Sequence, residues 1–167
     1  MKSAKVCMVG AFGVGKTSLV RRFVHQQFDE RYKTTLGVKI DTRVVETREE
    51  PIKLVLWDME GADPYELDKR PLSRIESYMK GAHGLFLVAD GTRPSTTKTA
   101  LGLYHDFCRK YQYVPTILLA NKSDLKEEWR FDDSALPDRL GVYQTSALNG
   151  QNIEDAFTAL GAALSKL

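Results

Sequence analysis

Two short stretches carry residue types and spacings suited to phosphate chemistry. Residues 10–17 read GAFGVGKT, a G-x-x-x-x-G-K-[ST] pattern directly after an apolar run and directly before a helical one. Its glycines let the backbone curl, so that N–H groups of Gly13, Val14, Gly15, Lys16, Thr17 and Ser18 can face phosphate oxygens. A helix N-terminus adds partial positive charge there. Lys16 can reach the outer phosphates, and the Thr17 hydroxyl can serve Mg²⁺. Residues 57–63 read WDMEGAD. Asp58 and Gly61, three residues apart beyond an apolar run, can hold a metal and sense a phosphate through a backbone N–H. Met59, Glu60 and Ala62 bring no obvious catalytic group. The stretch is either the working end of an enzyme or a binding site that has lost its chemistry.

The phosphate loop implies a nucleoside triphosphate without saying which; kinases and ATPases share it. A third stretch, NKSD at 121–124, follows another apolar run. The Asp124 carboxylate can accept from guanine N1–H and the 2-amino group together. Adenine lacks both donors and would leave a desolvated carboxylate unpaired. Lys122 can lay its methylene stem against the base plane, and Asn121 can tie this loop to the phosphate loop. TSA at 145–147 puts the N–H groups of Ser146 and Ala147 after a further strand, suited to guanine O6. Alone, NKSD reads equally as a polar turn. Its weight comes from the order GAFGVGKT, DMEG, NKSD, TSA, each ending a strand.

The elements that must position these residues are legible. Strands are expected at 4–10, 37–47, 52–58, 84–90, 115–121 and 142–146. Helical patterns cover 16–28, roughly 95–111, and the C-terminal AFTALGAALSKL, with Asn152 as its cap and Asp155 in its first turn. REEP joins 37–47 to 52–58 as a hairpin. GLFLVAD and PTILLAN are continuous apolar runs, as central strands covered on both faces require. Alternation of strands and helices predicts an α/β fold: a six-stranded, mostly parallel doubly wound sheet with one antiparallel edge strand and helices on both faces. Ligands on such sheets bind beyond the strands' C-terminal ends.

A length of 167 residues suits one domain, residues 1–167, with a real core. A net charge of +2 is too small to imply nucleic acid or an anionic membrane as the main partner. Cys7, inside an apolar run, reads as a buried free thiol, which together with the distant Cys108 suggests a reducing compartment. No apolar run is long enough to cross a bilayer. The final SKL matches a peroxisomal address, but it continues the helical pattern AFTALGAALSKL, and completing that helix is the stronger reading.

With these motifs in this order, the sequence resembles a Ras-superfamily small GTPase over essentially its whole length, within the P-loop NTPase class. YMKGAHGLFLVAD (78–90) and YKTTLGV (32–38) are most similar to the Rab branch and to bacterial Ras-like GTPases. The resemblance implies a small G-domain binding GDP or GTP with Mg²⁺, hydrolysing GTP, and meeting effectors, exchange factors or GAPs through residues 29–40 and 59–77 from the cytoplasm. It implies that Phe28 packs across the guanine edge, or else simply ends a helical stripe in the core. By the same resemblance, Tyr32 closes over the γ-phosphate. Thr35, beside Thr34, meets Mg²⁺ and the γ-phosphate. Asp58 holds Mg²⁺ through water, and the Gly61 N–H reads the γ-phosphate. Thr17, Thr35 and Asp58 are thus the expected metal set, and Lys16, Thr35 and Gly61 the expected catalytic set.

Three departures stand out. Where the family usually reads D-T-A-G-Q, this chain reads Asp58-Met59-Glu60-Gly61-Ala62, so the glutamine that orients the attacking water is replaced by a side chain with no polar group. Slow intrinsic hydrolysis is expected. Asp63 or Glu66 are candidate replacements, and Arg31, Arg43 or Arg70 candidate in-chain cations, although solvated loop charge explains all five. Phe12 stands where the family is commonly small. Its ring either crowds the entry of a partner's arginine or points to solvent or the second switch. The spacing from Asp58 to Tyr78 exceeds the family's by more than a helical turn. Residues 62–70 therefore read as an enlarged loop before a helix starting at Pro71 and carrying Leu72, Ile75 and Met79. The lipidated cysteine tail of most eukaryotic relatives is not visible: either the chain stops short of it, or the protein works without a lipid anchor.

Overall fold

Val6, Cys7, Met8 and Val9 are all buried, so the first strand has protein on both faces. In the computed structural model, which describes residues 1–31, 35, 37–62 and 71–167, this strand lies at the centre of a sheet. Side chains alternate across it. Val6 and Met8 join one core with Leu19, Phe23, Phe157 and Leu160; Cys7 and Val9 join the other with Ile75, Met79, Leu103 and Phe107. The elements are β1 Lys2–Gly10, α1 Lys16–His25, β2 Val38–Val45, β3 Ile52–Met59, α2 Pro71–Met79, β4 Gly84–Asp90, α3 Pro94–Lys110, β5 Thr116–Asn121, β6 Gly141–Gln144 and α4 Ile153–Ser165. α1 and α4 cover the first face, where Phe157 stacks on Phe23 with ring centroids 4.1 Å apart. α2 and α3 cover the second. Each fully buried Phe or Leu contributes about 1.5–3 kcal/mol.

The sheet order is β2-β3-β1-β4-β5-β6, with β2 antiparallel to β3 and every other pair parallel. This is the expected α/β architecture. The chain winds from β1 toward β3 and then returns to place β4 on the opposite side of β1. The strand order reverses there, which opens a crevice beyond the ends of β1 and β4. β1 ends at Gly10, where the phosphate-loop sequence begins, and β4 ends at Asp90.

Local details refine the expectations. The β2–β3 turn is held by Thr47, whose hydroxyl accepts the N–H groups of Glu49 and Glu50, both at 3.2 Å. α3 starts at Pro94, whose missing N–H costs nothing in a first turn. Asn152 occupies the N-cap of α4 with a left-handed φ of 59° but makes no side-chain cap; its amide donates instead to the Gln144 carbonyl at 2.8 Å. α4 carries Glu154 and Asp155 in its first turn, complementing the helix dipole.

Candidate functional site

The crevice is a cleft of about 420 Å³ running from the phosphate loop to residues 147–148. Gly13 and Gly15 line it with φ of +74° and +102°, a region other residues enter only with strain. A Cβ at Gly15 would sit 2.3 Å from Asn121 Nδ2. The loop's carbonyls turn outward and each meets a donor. Lys16 Nζ donates to Gly10 and Ala11 at 3.2 and 3.0 Å. Arg93 Nη2 donates to Phe12 at 3.0 Å, Lys122 Nζ to Gly13 at 3.0 Å, and Asn121 Nδ2 to Val14 at 3.0 Å. The Val14 side chain is core, so only its backbone can serve a ligand. Lys16, Thr17 and Ser18 line the cleft. Burial lowers the Lys16 ammonium to about 8; Asp58 opposes that shift and Arg93 adds to it.

Thr17, Thr35 and Asp58 come together although they lie on three segments. Thr17 Oγ1 donates to Asp58 Oδ2 at 2.6 Å and lies 2.6 Å from Thr35 Oγ1. A threonine hydroxyl has one proton, so Thr35 is the donor to Thr17 and the chain of donation ends on Asp58. The other Asp58 oxygen, Oδ1, is buried and accepts no hydrogen bond. Burial raises the Asp58 carboxyl, against the Thr17 bond and the charges of Lys16 and Lys39. An oxygen-only set with one unpartnered buried carboxylate oxygen fits a hard cation such as Mg²⁺, which takes one or two protein oxygens beside phosphates and water. Among the described residues no group of three or more His, Cys, Asp or Glu forms a metal cluster.

At the other end, Asp124 Oδ1 accepts the Ser146 hydroxyl at 2.7 Å, and the Asn121 side chain accepts Thr145 Oγ1 at 3.2 Å. The Ser146 N–H donates to Gln151 O at 3.3 Å, and it is Ala147 that lines the cleft. Arg22 holds this loop from α1, bonding the Ala147 carbonyl at 2.8 Å and the Leu148 carbonyl. Lys122 and Phe28 line the cleft, and Phe28 is 37% exposed rather than core. Tyr32, Thr34, Asp63, Glu66 and Arg70 lie outside the described residues.

The segment after Asp58 is stitched to its surroundings. Glu60 N–H donates to Gly37 O at 2.8 Å, Ala62 N–H to Gly10 O at 2.9 Å, and Phe12 N–H to Ala62 O at 3.2 Å. Ala62 thus forms a parallel bridge with Ala11, and its side chain is buried in the α2/α3 core. Gly61 packs on Phe12 so closely that a Cβ would come within 2.4 Å of Phe12 Cα. The Glu60 carboxylate pairs with Arg74 at 3.4 Å, a charge contact without hydrogen-bond geometry. Of the candidate cations, Arg31 lines the cleft and pairs with Asp29 at 3.5 Å. Arg43 is committed elsewhere, to Glu154 through two bonds of 2.8 and 2.7 Å and to the Phe23 carbonyl.

A family model described as the Ras family matches residues 5–166. The chain belongs to the Ras family. It is therefore a GTP-binding molecular switch with the family's GTPase activity, and its relatives place it on the Rab branch. It is 37% identical over 125 residues to Ras-related protein Rab-32C of Dictyostelium discoideum, covering 74% of this chain and 53% of that protein. It is 33% identical over 168 residues to Ras-related protein Rab-32 of Mus musculus and of Homo sapiens, covering 91% of this chain and 71% and 70% of theirs. The Dictyostelium match thus spans about half of that relative's length. No helix among the described residues is long and apolar enough to cross a membrane.

Two functional candidates of this Ras-family chain escape motif reading. Asp90 is 2% exposed and accepts Lys122 Nζ at 2.8 Å, Arg93 Nε at 3.0 Å and Thr92 Oγ1 at 2.6 Å. Burial would raise its carboxyl, but these donors hold it below the usual carboxylate range. Arg93 reaches the phosphate loop from there. The available signal was positional: ADGTRP puts an aspartate and an arginine at the end of a central strand beside the crevice.

Proposed function

We propose that this chain is a single G-domain that binds GDP and GTP with Mg²⁺, hydrolyses GTP slowly, and signals from the cytoplasm through residues 29–40 and 59–77. What supports this most is the convergence of Thr17, Thr35 and Asp58 beside Lys16, at one end of a cleft whose other end holds Asp124. Asp124 accepts from the guanine edge, Ala147 N–H meets O6, and Lys122 and Phe28 flank the base. Tyr32 is assigned to the γ-phosphate by resemblance to the family alone. The free thiols of Cys7 and Cys108 support a reducing setting.

In the reaction a water attacks the γ-phosphorus, the bond to the β–γ bridging oxygen breaks, and GDP and phosphate leave. Lys16 and the phosphate-loop N–H groups stabilise the negative charge that spreads over these oxygens. Thr17, Thr35 and Asp58 would hold Mg²⁺, which when bound neutralises charge on the β- and γ-phosphates. The Gly61 N–H senses the γ-phosphate and, with Thr35, draws both segments inward. Ala62 offers nothing to the water, and its burial supports slow turnover. The same burial favours a second reading, an interaction module with negligible hydrolysis.

The nucleotide carried by purified protein, followed over time after loading with GTP, tests both. Conversion to GDP supports the slow enzyme; persistent GTP supports the module. Tight ATP binding that GTP cannot displace would overturn the guanine assignment and favour a small ATPase or kinase.

A further inference from the structure

We propose that Arg93 is a positioning residue of the phosphate loop, acting through the Phe12–Gly13 peptide and locked in place by Asp90. The peptide is trans, so its N–H points opposite to its C=O. Arg93 Nη2 donates to that carbonyl at 3.0 Å. The Gly13 N–H therefore points away from Arg93, on the side where Gly13 lines the cleft. A cation on the carbonyl polarises the whole amide and makes its N–H a stronger donor. Lys122 does the same to the next peptide through the Gly13 carbonyl. Both cations share the Asp90 carboxylate, at 3.0 and 2.8 Å. One buried carboxylate thus sets two charges against successive phosphate-loop peptides.

The turn that presents Arg93 is held from several directions. Gly91 N–H donates to Asn121 O at 2.9 Å, and Gly91 O accepts Arg130 N–H at 2.8 Å. The Trp129 ring lies so close over Gly91 that a Cβ would come within 1.9 Å of it. The buried Thr96 hydroxyl accepts Asp90 N–H at 2.8 Å and donates to Arg93 O at 2.7 Å. Asn121 and Lys122 belong to the guanine loop, so this turn joins that loop to the phosphate loop. Arginine suits the place because its planar fork serves the carboxylate and the carbonyl together, and it keeps its charge. This role is separate from Mg²⁺ and from the water that Ala62 fails to orient.

The inference rests on residues 10–17 being the phosphate cradle. The test compares the intact chain with Arg93→Gln, Arg93→Lys and, as a control on the cradle, Lys16→Ala. Each is loaded with a non-hydrolysable GTP analogue for ³¹P NMR and with GTP for single-turnover hydrolysis, and thermal melting is followed in parallel. Arg93→Gln should move the β-phosphate resonance and slow hydrolysis roughly three- to tenfold, the size expected of one charge-assisted, half-exposed hydrogen bond. Arg93→Lys, which keeps the charge but not the fork, should fall between Arg93→Gln and the parent in both resonance shift and rate, and melting should shift little. An unmoved ³¹P spectrum with an unchanged rate, or an equal loss in the glutamine and lysine variants that follows melting temperature alone, overturns the positioning role. Should Arg93→Gln fail to fold, Arg93→Lys against the parent decides by the same resonance, where no shift at all refutes it. If Lys16→Ala binds the analogue as well as the parent, the cradle reading itself fails.

Discussion

Restoring glutamine at position 62 should not restore a glutamine-type rate. Ala62 is 4% exposed, with its methyl in the core beside Ile75 and Met79. Its backbone is bonded to Gly10 and Phe12 at 2.9 and 3.2 Å. For an amide introduced there to reach a water at the γ-phosphate, the residue must leave this bridge. Two backbone hydrogen bonds at ~0.5–1.5 kcal/mol each make that about 1–3 kcal/mol. This corresponds to a released fraction lower by roughly five- to 150-fold. Remaining in the bridge instead forces an amide into a packed apolar site, at about 1–3 kcal/mol of overpacking. Ala62→Gln should therefore lower the melting temperature by several degrees, at about 2–4 °C per kcal/mol for a chain of this size. Single-turnover GTP hydrolysis should rise less than tenfold. A rise of a hundredfold or more with unchanged melting would refute the argument, because it would mean that Ala62 is not held where the structure places it.

Asp124→Asn should weaken guanine nucleotide binding by two or more orders of magnitude and favour xanthine, whose 2-oxo group accepts from the amide; titration with both nucleotides measures the ratio. Lys16 sits at about 8 in the folded chain against an ordinary 10.5. The unfolded state therefore binds more protons between those values, and the fold gains stability as pH rises through that window; below it the cost is fully present. Phosphates require the ammonium, so at pH 9 GTP binding should take up close to one proton, seen as a buffer-dependent heat in calorimetry; zero uptake contradicts the assignment. Arg43→Ala removes a partly exposed pair with Glu154, a bond to the Phe23 carbonyl and a cation stacked 4.1 Å over the Phe23 ring, and should cost about 1–3 kcal/mol in urea unfolding, with nucleotide release unchanged.

The sheet was legible because its strands are short apolar runs with sharp ends, and the phosphate and guanine loops because glycine and carboxylate chemistry leaves a local signature. Strand ends moved by a residue or two, since a hydrophobic run does not specify where hydrogen bonding stops. Asn152 has the right type for a cap, yet a left-handed backbone sends its amide to Gln144. Long-range polar contacts were not legible. Arg43, Arg31 and Arg93 look alike in sequence. Only the packing of β2 against α1 and α4 commits Arg43 to Glu154, and only the strand reversal brings Arg93 to Phe12. Ala62 read as a lost group; the sequence held no sign that its backbone would bridge the phosphate loop, because that bond depends on where β3 runs relative to β1.

The departures at 12 and 62 are physically one feature. The Phe12 N–H is taken by Ala62 and its carbonyl by Arg93, so the backbone that carries the ring is fixed at both ends. Its ring, 46% exposed, lines the cleft beside this bridge. Here the cation already present reaches the loop from behind, through its carbonyl, where the ring does not interfere. A partner that accelerates this switch is thus expected to act first on the bridge between 62 and the phosphate loop. Pulling Ala62 away frees the Phe12 N–H and the Gly10 carbonyl together, because both are bonded to Ala62.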